Sequence, residues 1–365
     1  MTLIKKGLAL FLAALLILSL ASCTSEESPE TSDTGTASTS SGTDAPDAST
    51  DSEAVSDTEE TTDEPEPVAN EVLVCDQLNS RIILYDLDIL DPGDDLDLAI
   101  VWTLEPNGNG YCADMKYRED TVFGDVILTA GGTSGIYAYP GKDVIWSTNN
   151  PGNNPHAVEI LPDGDIVIAN STGATVRHFN TSILTEDPEA KVEYVDYELY
   201  GAHGVVYDPT YECLWALGNN DLVAYDIVGD FELSERDVYT MPEGNRSGHD
   251  LSADLTDTRY LYLTSITVLR FDKETGEFEE KFPQYAKLTH SYTTGFGNNK
   301  NNNFFSVWGG TDGEDEKWGK QSIGDWCSDV LHFYYWKSEN FLYRQDYESS
   351  TSAFYKSRPF YGQYQ

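Results

Sequence analysis

Beyond residue 70 the chain alternates short apolar runs with turn residues, and no long stretch repeats its apolar positions every 3.6 residues. Val72-Leu73-Val74-Cys75, Arg81-Ile82-Ile83-Leu84-Tyr85, Asp125-Val126-Ile127-Leu128, Asp165-Ile166-Val167-Ile168 and Tyr260-Leu261-Tyr262-Leu263 are examples. Runs this short, rich in Val, Ile and Tyr and bounded by Gly, Asn, Asp or Pro, predict β-strands. The domain over residues 71–365 is therefore expected to be all-β.

The runs recur with a period. Pro155-His156-Ala157-Val158 leads through an Asp163-Gly164 turn into Asp165-Ile166-Val167-Ile168. His203-Gly204-Val205-Val206 leads to Cys213-Leu214-Trp215-Ala216, and Gly248-His249-Asp250-Leu251 to Tyr260-Leu261-Tyr262-Leu263. A fourth copy begins at His290-Ser291-Tyr292-Thr293. The His-to-His steps of 47, 46 and 41 residues match one four-stranded propeller blade. A copy without the His fits Tyr111 to Asn149. Another starts at Val72 without an innermost strand, which Ser352-Ala353-Phe354-Tyr355-Lys356 could supply from the far end of the chain. The prediction is a six-bladed β-propeller of four-stranded antiparallel blades, closed by the C-terminal strand.

The start of the chain obeys different rules. Lys5 and Lys6 precede an apolar run from Gly7 to Leu20, which is a secretory n-region and h-region. The run ends in Leu20-Ala21-Ser22-Cys23, which resembles the lipobox of bacterial lipoproteins. That resemblance implies removal of residues 1–22 and a diacylglyceryl group on Cys23. The protein would then be anchored to a membrane of the bacterial cell envelope, facing outside the cytoplasm, without spanning it. Residues 23–70 are Ser, Thr, Asp, Glu, Pro and Ala with almost no large apolar side chain, and are expected to form a disordered tether.

Charge separates these regions further. The net charge is −41; residues 24–70 contribute fourteen acids and no Lys or Arg, and residues 71–365 carry −29. Such a balance excludes nucleic acid as a partner, since that needs a Lys/Arg footprint. It favours neutral or cationic ligands and a solvated, monomeric domain.

The copy around His156 resembles NHL-type six-bladed propellers, in which a Pro-His-Gly-like start precedes a strand, an Asp-Gly turn and a second strand. The chain as a whole is similar to an uncharacterised family of bacterial propeller lipoproteins, which brings no function with it. In a propeller the first strand of each blade lines the channel, so His156, His203, His249 and His290 should converge on one mouth. Some NHL-type propeller lyases hold a metal or a catalytic His at this position. That resemblance implies His156, His203 and His249 as ligands of one divalent metal (Zn, Mn or Fe), with His290 a further ligand or a catalytic base. Neutral imidazoles suit such ions. The alternative is that each His only ties down its own strand. His178 and His332 fall in later strands, where a structural role is expected.

The same rim is expected to carry Gln77, Arg81 and Asn170, together with Trp318 and Trp326 in or beside a long loop at about 309–325. Amides and one cation beside indole faces suit a small polar ligand such as a glycan fragment. The four remaining cysteines form no Cys-x-x-Cys and read as buried thiols. Three functions stay open on these residues: a receptor for a small polar ligand, a metal-dependent lyase acting on an oligosaccharide, and a protein-interaction scaffold.

Overall fold

The computed structural model describes residues 69–364 apart from 107–109, 230, 283, 285–287, 289–292, 309–325 and 339–340, and the described residues form twenty-four strands in six antiparallel sheets of four. Blade one holds β1 (Glu71–Asp76), β2 (Arg81–Asp86) and β3 (Ile100–Leu104), with β24 (Phe354–Pro359) on its inner edge. Blade two is β4 (Cys112–Thr121), β5 (Gly124–Gly131), β6 (Ser134–Ala138) and β7 (Val144–Thr148). Blade three is β8 (Pro155–Ile160), β9 (Ile166–Asn170), β10 (Thr175–Phe179) and β11 (Tyr194–Glu198). Blade four is β12 (Gly204–Asp208), β13 (Cys213–Leu217), β14 (Asp221–Ile227) and β15 (Leu233–Thr240). Blade five is β16 (Asp250–Ala253), β17 (Tyr260–Thr264), β18 (Val268–Asp272) and β19 (Glu277–Glu279). Blade six is β20 (Thr293–Asn298), β21 (Phe304–Trp308), β22 (Val330–Ser338) and β23 (Phe341–Glu348).

The fold is the six-bladed propeller that the repeat predicts. Its strands read as continuous apolar runs because each blade is covered on both faces by its neighbours. Strands β9, β12 and β13 are buried along their whole length, whereas the outermost β11 and β15 are mostly exposed. Trp215, Leu217 and Leu222 of blade four pack with Leu261, Leu263 and Phe271 of blade five in one cluster. Burial of this kind, at about 25 cal/mol per Å² of apolar surface, is what holds neighbouring blades together.

Innermost strands β24, β4, β8, β12, β16 and β20 follow one another around the channel. The ring closes where β24 pairs with β1, with Leu73 opposite Arg358 and Val74 opposite Ser357. This strand starts two residues later than expected and runs on to Pro359. Closure gives blade one its fourth strand and leaves no gap in the ring. The approach of β20 to β24 demands a glycine: a Cβ on Gly295 would sit 2.5 Å from the Ser357 nitrogen and 2.8 Å from the Lys356 Cα. Cys75, Cys112, Cys213 and Cys327 are buried and unbridged. Burial pushes the Cys213 and Cys327 thiols up to about 12, so neither is a nucleophile at neutral pH. Cys23 and the acidic segment through residue 68 lie outside the described residues.

Candidate functional site

The channel has two ends, a near rim where the innermost strands begin and a far rim where they finish. His156 is the second residue of β8, and His203 and His249 stand immediately before β12 and β16. The main chains of His203 and His249 already follow the sheet ladder, donating to the Leu217 and Thr264 carbonyls at 2.8 Å. Their rings meet at the near rim. Centroids of His156 and His203 are 4.4 Å apart, and those of His203 and His249 are 5.1 Å apart.

Each ring is held differently. His203 Nδ1 lies 2.7 Å from the Gly201 carbonyl, which can only accept, so Nδ1 carries the proton and Nε2 of the neutral ring keeps its lone pair. His156 Nδ1 shares a hydrogen bond of 2.9 Å with the Tyr355 hydroxyl from β24. His249 Nδ1 is buried with no hydrogen-bond partner. Burial, and then neighbouring His249, pull His203 down to about 3. Burial, His203 and Lys356 hold His156 well below the ordinary imidazole range, and burial and Lys356 lower His249. All three are neutral at pH 7, each offering one donor and one acceptor.

Directly beneath lies a buried ionic cluster. Lys356 Nζ donates to the carbonyls of His156 (2.9 Å) and His203 (3.3 Å) and reaches Asp250 Oδ1 at 3.1 Å. Two of its ammonium protons thus have backbone acceptors, and Asp250 pairs with it by charge. Arg358 grips both oxygens of Asp250 at 2.5 Å. Its Nη2 also lies 2.9 Å from Asp114 Oδ1, close enough to pair by charge though not aligned for a hydrogen bond. Glu159 accepts from Arg118 at 3.0 and 2.8 Å and from Lys116 at 3.0 Å. Burial would raise both carboxyls, but Arg358 and Lys356 hold Asp250 at about 2, and Arg118 and Lys116 keep Glu159 below its ordinary value. Among the described residues four cations thus face three carboxylates at the centre of a domain whose net charge is −29.

The other predicted site residues separate into those at the near rim and those committed elsewhere. Trp326 is 52% exposed, and its Nε1 donates to Gln77 Oε1 at 2.9 Å, so these two are brought together there. Arg81 is tied to Asp76 at 2.8 Å and to Ser352 at 3.2 Å, fastening the blade-one turn to the start of β24. Asn170 is buried beneath Gly152, with its Nδ2 on the Ile168 carbonyl at 3.3 Å. Arg81 thus sits beside Gln77 at the near rim with its charge paired, whereas Asn170 is fully buried, its Oδ1 without a partner. His290 and Trp318 lie outside the described residues. His178 and His332 are away from the rim, paired with Asp165 at 2.9 Å and Asp346 at 2.7 Å.

Sequence reasoning missed Tyr355, Lys356, Arg358, Asp250, Glu159 and the trio Asp114, Lys116 and Arg118. A signal existed for the trio: charges at every second position of β4, alternating with Ala113, Met115 and Tyr117, which pack into the core. As for a metal, the neutral nitrogens suit one chemically, but no group of three His, Cys, Asp or Glu side chains among the described residues is arranged to hold an ion.

No curated protein matches the chain in sequence. A solved protein of unknown function from Bacteroides caccae is similar in structure, with a TM-score of 0.51, 11% identity, and coverage of 80% of this chain and 99% of that one. At that identity the likeness is one of fold alone. The chain is also similar to virginiamycin B lyase from Staphylococcus aureus (TM-score 0.45, 12% identity, 75% of this chain and 80% of that one). A functionally unknown protein from Desulfotomaculum acetoxidans gives a TM-score of 0.45 at 11% identity, with 81% and 84% covered. The model of a family of unknown function, DUF6528, matches residues 122–283, a stretch that contains all three clustered imidazoles.

Proposed function

We propose that this protein is a membrane-anchored, extracytoplasmic propeller whose near rim binds a small neutral polar ligand, a glycan fragment. One observation carries the reading: three neutral imidazoles lie side by side with hydrogen-bonding capacity that the protein does not use. His203 Nε2 keeps a lone pair, and His249 Nδ1 is buried with no partner. Sugar hydroxyls both donate and accept, which is what neutral imidazoles ask of a partner. The half-exposed indole of Trp326, with its Nε1 fixed by Gln77, supplies an apolar face at the same rim. The domain charge of −29 favours an uncharged ligand over an acidic one.

An array of neutral oligosaccharides, followed by titration calorimetry, tests this. At least one glycan should bind the wild type, and His203→Ala and His249→Ala should each weaken it at least tenfold with little change in melting temperature. Absence of any glycan binding, or variants that bind like the wild type, would overturn the reading. The anchor rests on Leu20-Ala21-Ser22-Cys23. Radiolabelled palmitate should enter the expressed wild-type chain and be absent from Cys23→Ser; equal labelling of the two excludes it.

A second reading is a metal-dependent lyase with Zn, Mn or Fe on His156, His203 and His249. The neutral state of the rings favours it, since only unprotonated nitrogens ligate. The rings would have to turn to form a ligand set, with His290 as a further ligand or base. Elemental analysis after metal loading decides: no bound transition metal rejects this reading and leaves the glycan reading standing.

A further inference from the structure

We infer that the far rim of the channel is a second site, which takes a small monocarboxylate. It lies at the opposite end of the innermost strands from the imidazoles. Lys116, Arg118, Ser252, Gly297, Arg358 and Tyr361 line a small cleft of about 50 Å³ there, room for only a few water-sized atoms.

Two polar groups in its lining have nothing to bond. Arg358 is 95% buried (5% exposed), and while its two terminal nitrogens hold Asp250, its Nε–H has no acceptor. The Ser252 hydroxyl, on β16 and separated from β24 by β20, is also buried without a partner. Gly297 keeps the wall bare between them: a Cβ there would sit 3.2 Å from Pro359 Cδ and 3.9 Å from Ser252 Cβ. Buried donors without acceptors are uncommon in folded proteins, and each costs the full desolvation of the group.

Charge points the same way. The channel cluster holds Lys116, Arg118, Lys356 and Arg358 against Asp114, Glu159 and Asp250, an excess of one positive charge. Water could satisfy the two donors but would leave that charge unbalanced in a low-dielectric interior. A carboxylate supplies both missing elements, one negative charge and two acceptor oxygens, one for the Arg358 Nε–H and one for the Ser252 hydroxyl. A dianion fits less well, because three carboxylates already surround the cations. Tyr361 and Gln363 form part of the cleft's wall. A cleft this small admits only a small molecule or the end of a larger one.

The test compares sodium acetate with sodium chloride at equal ionic strength, on the whole domain, by melting temperature and by titration calorimetry. Acetate should stabilise the wild type saturably beyond chloride. Ser252→Ala should weaken acetate binding at least tenfold, and Lys116→Met, which removes the excess charge, should weaken it as well. His203→Ala at the opposite rim should leave it unchanged. Acetate that acts no differently from chloride, or that binds Ser252→Ala as tightly as the wild type, would overturn the proposal. Because His203→Ala reports on the near rim alone, failure here leaves the glycan reading intact, and the reverse also holds.

Discussion

The two rims are built from the same six strands, yet one presents neutral nitrogen and the other presents paired charge. At the near rim His156, His203 and His249 lose their protons to burial and to the cation beneath them. Toward the far rim Asp250 and Glu159 stay ionised despite equal or greater burial, because each is gripped by two cations. The lesson is that burial alone does not set a protonation state; the partner within about 3 Å decides it. Lys356 joins the two regimes, closing the ionic cluster with Asp250 and at the same time lowering the imidazoles above it.

The strongest way to break this comparison is to remove a partner. Asp250→Ala leaves Arg358 with the poorly aligned Asp114 and the Ser357 carbonyl, and Lys356 with carbonyls alone. Stranding buried cations in this way should cost about 3–5 kcal/mol in urea denaturation. Lys116→Met should cost clearly less, because Glu159 keeps both bonds from Arg118. Equal losses would mean that the cluster is not held together by its charges.

A smaller effect comes from acid. His203 has its folded value at about 3 against 6.5 in the ordinary state, so the unfolded chain takes up a proton that the folded chain refuses. Its contribution to stability is fully present above pH 6.5 and declines as pH falls from 6.5 toward 3, by at most about 1.4 kcal/mol per pH unit. The Asp250 contribution, from a value lowered to about 2 against 3.8, is lost only below pH 3.8. Melting curves between pH 7 and 4.5 should therefore report the imidazoles, and His203→Gln should flatten them. A wild-type profile already flat over that span would show that the rings accept protons in place.

The same elements show how much could be read in advance. Strand positions were legible because blades stacked on both faces bury whole runs such as Ile166-Val167-Ile168-Ala169. The His period was legible because each blade repeats the same start. The second half of the channel was not. Asp114, Lys116 and Arg118 alternate with Ala113, Met115 and Tyr117, which is also the pattern of a strand with one solvated face. Only ring closure turns that face inward. For Arg81 the position was legible but not its pairing, because Asp76 five residues earlier could equally have been a solvated acid. Asn170 looked like a rim amide because turn chemistry does not report depth.

By itself the sequence determined the all-β class, the blade length, the closure by the C-terminal run and the placing of imidazoles at strand starts. These are consequences of local periodicity, which neighbouring residues carry. Tertiary structure alone decided which side chains meet in the channel and in what charge state. Tyr355 reaches His156 across 199 positions, and Arg358 reaches Asp250 across 108. Charges that far apart in the chain acquire their partners, and hence their protonation, only when the ring is closed.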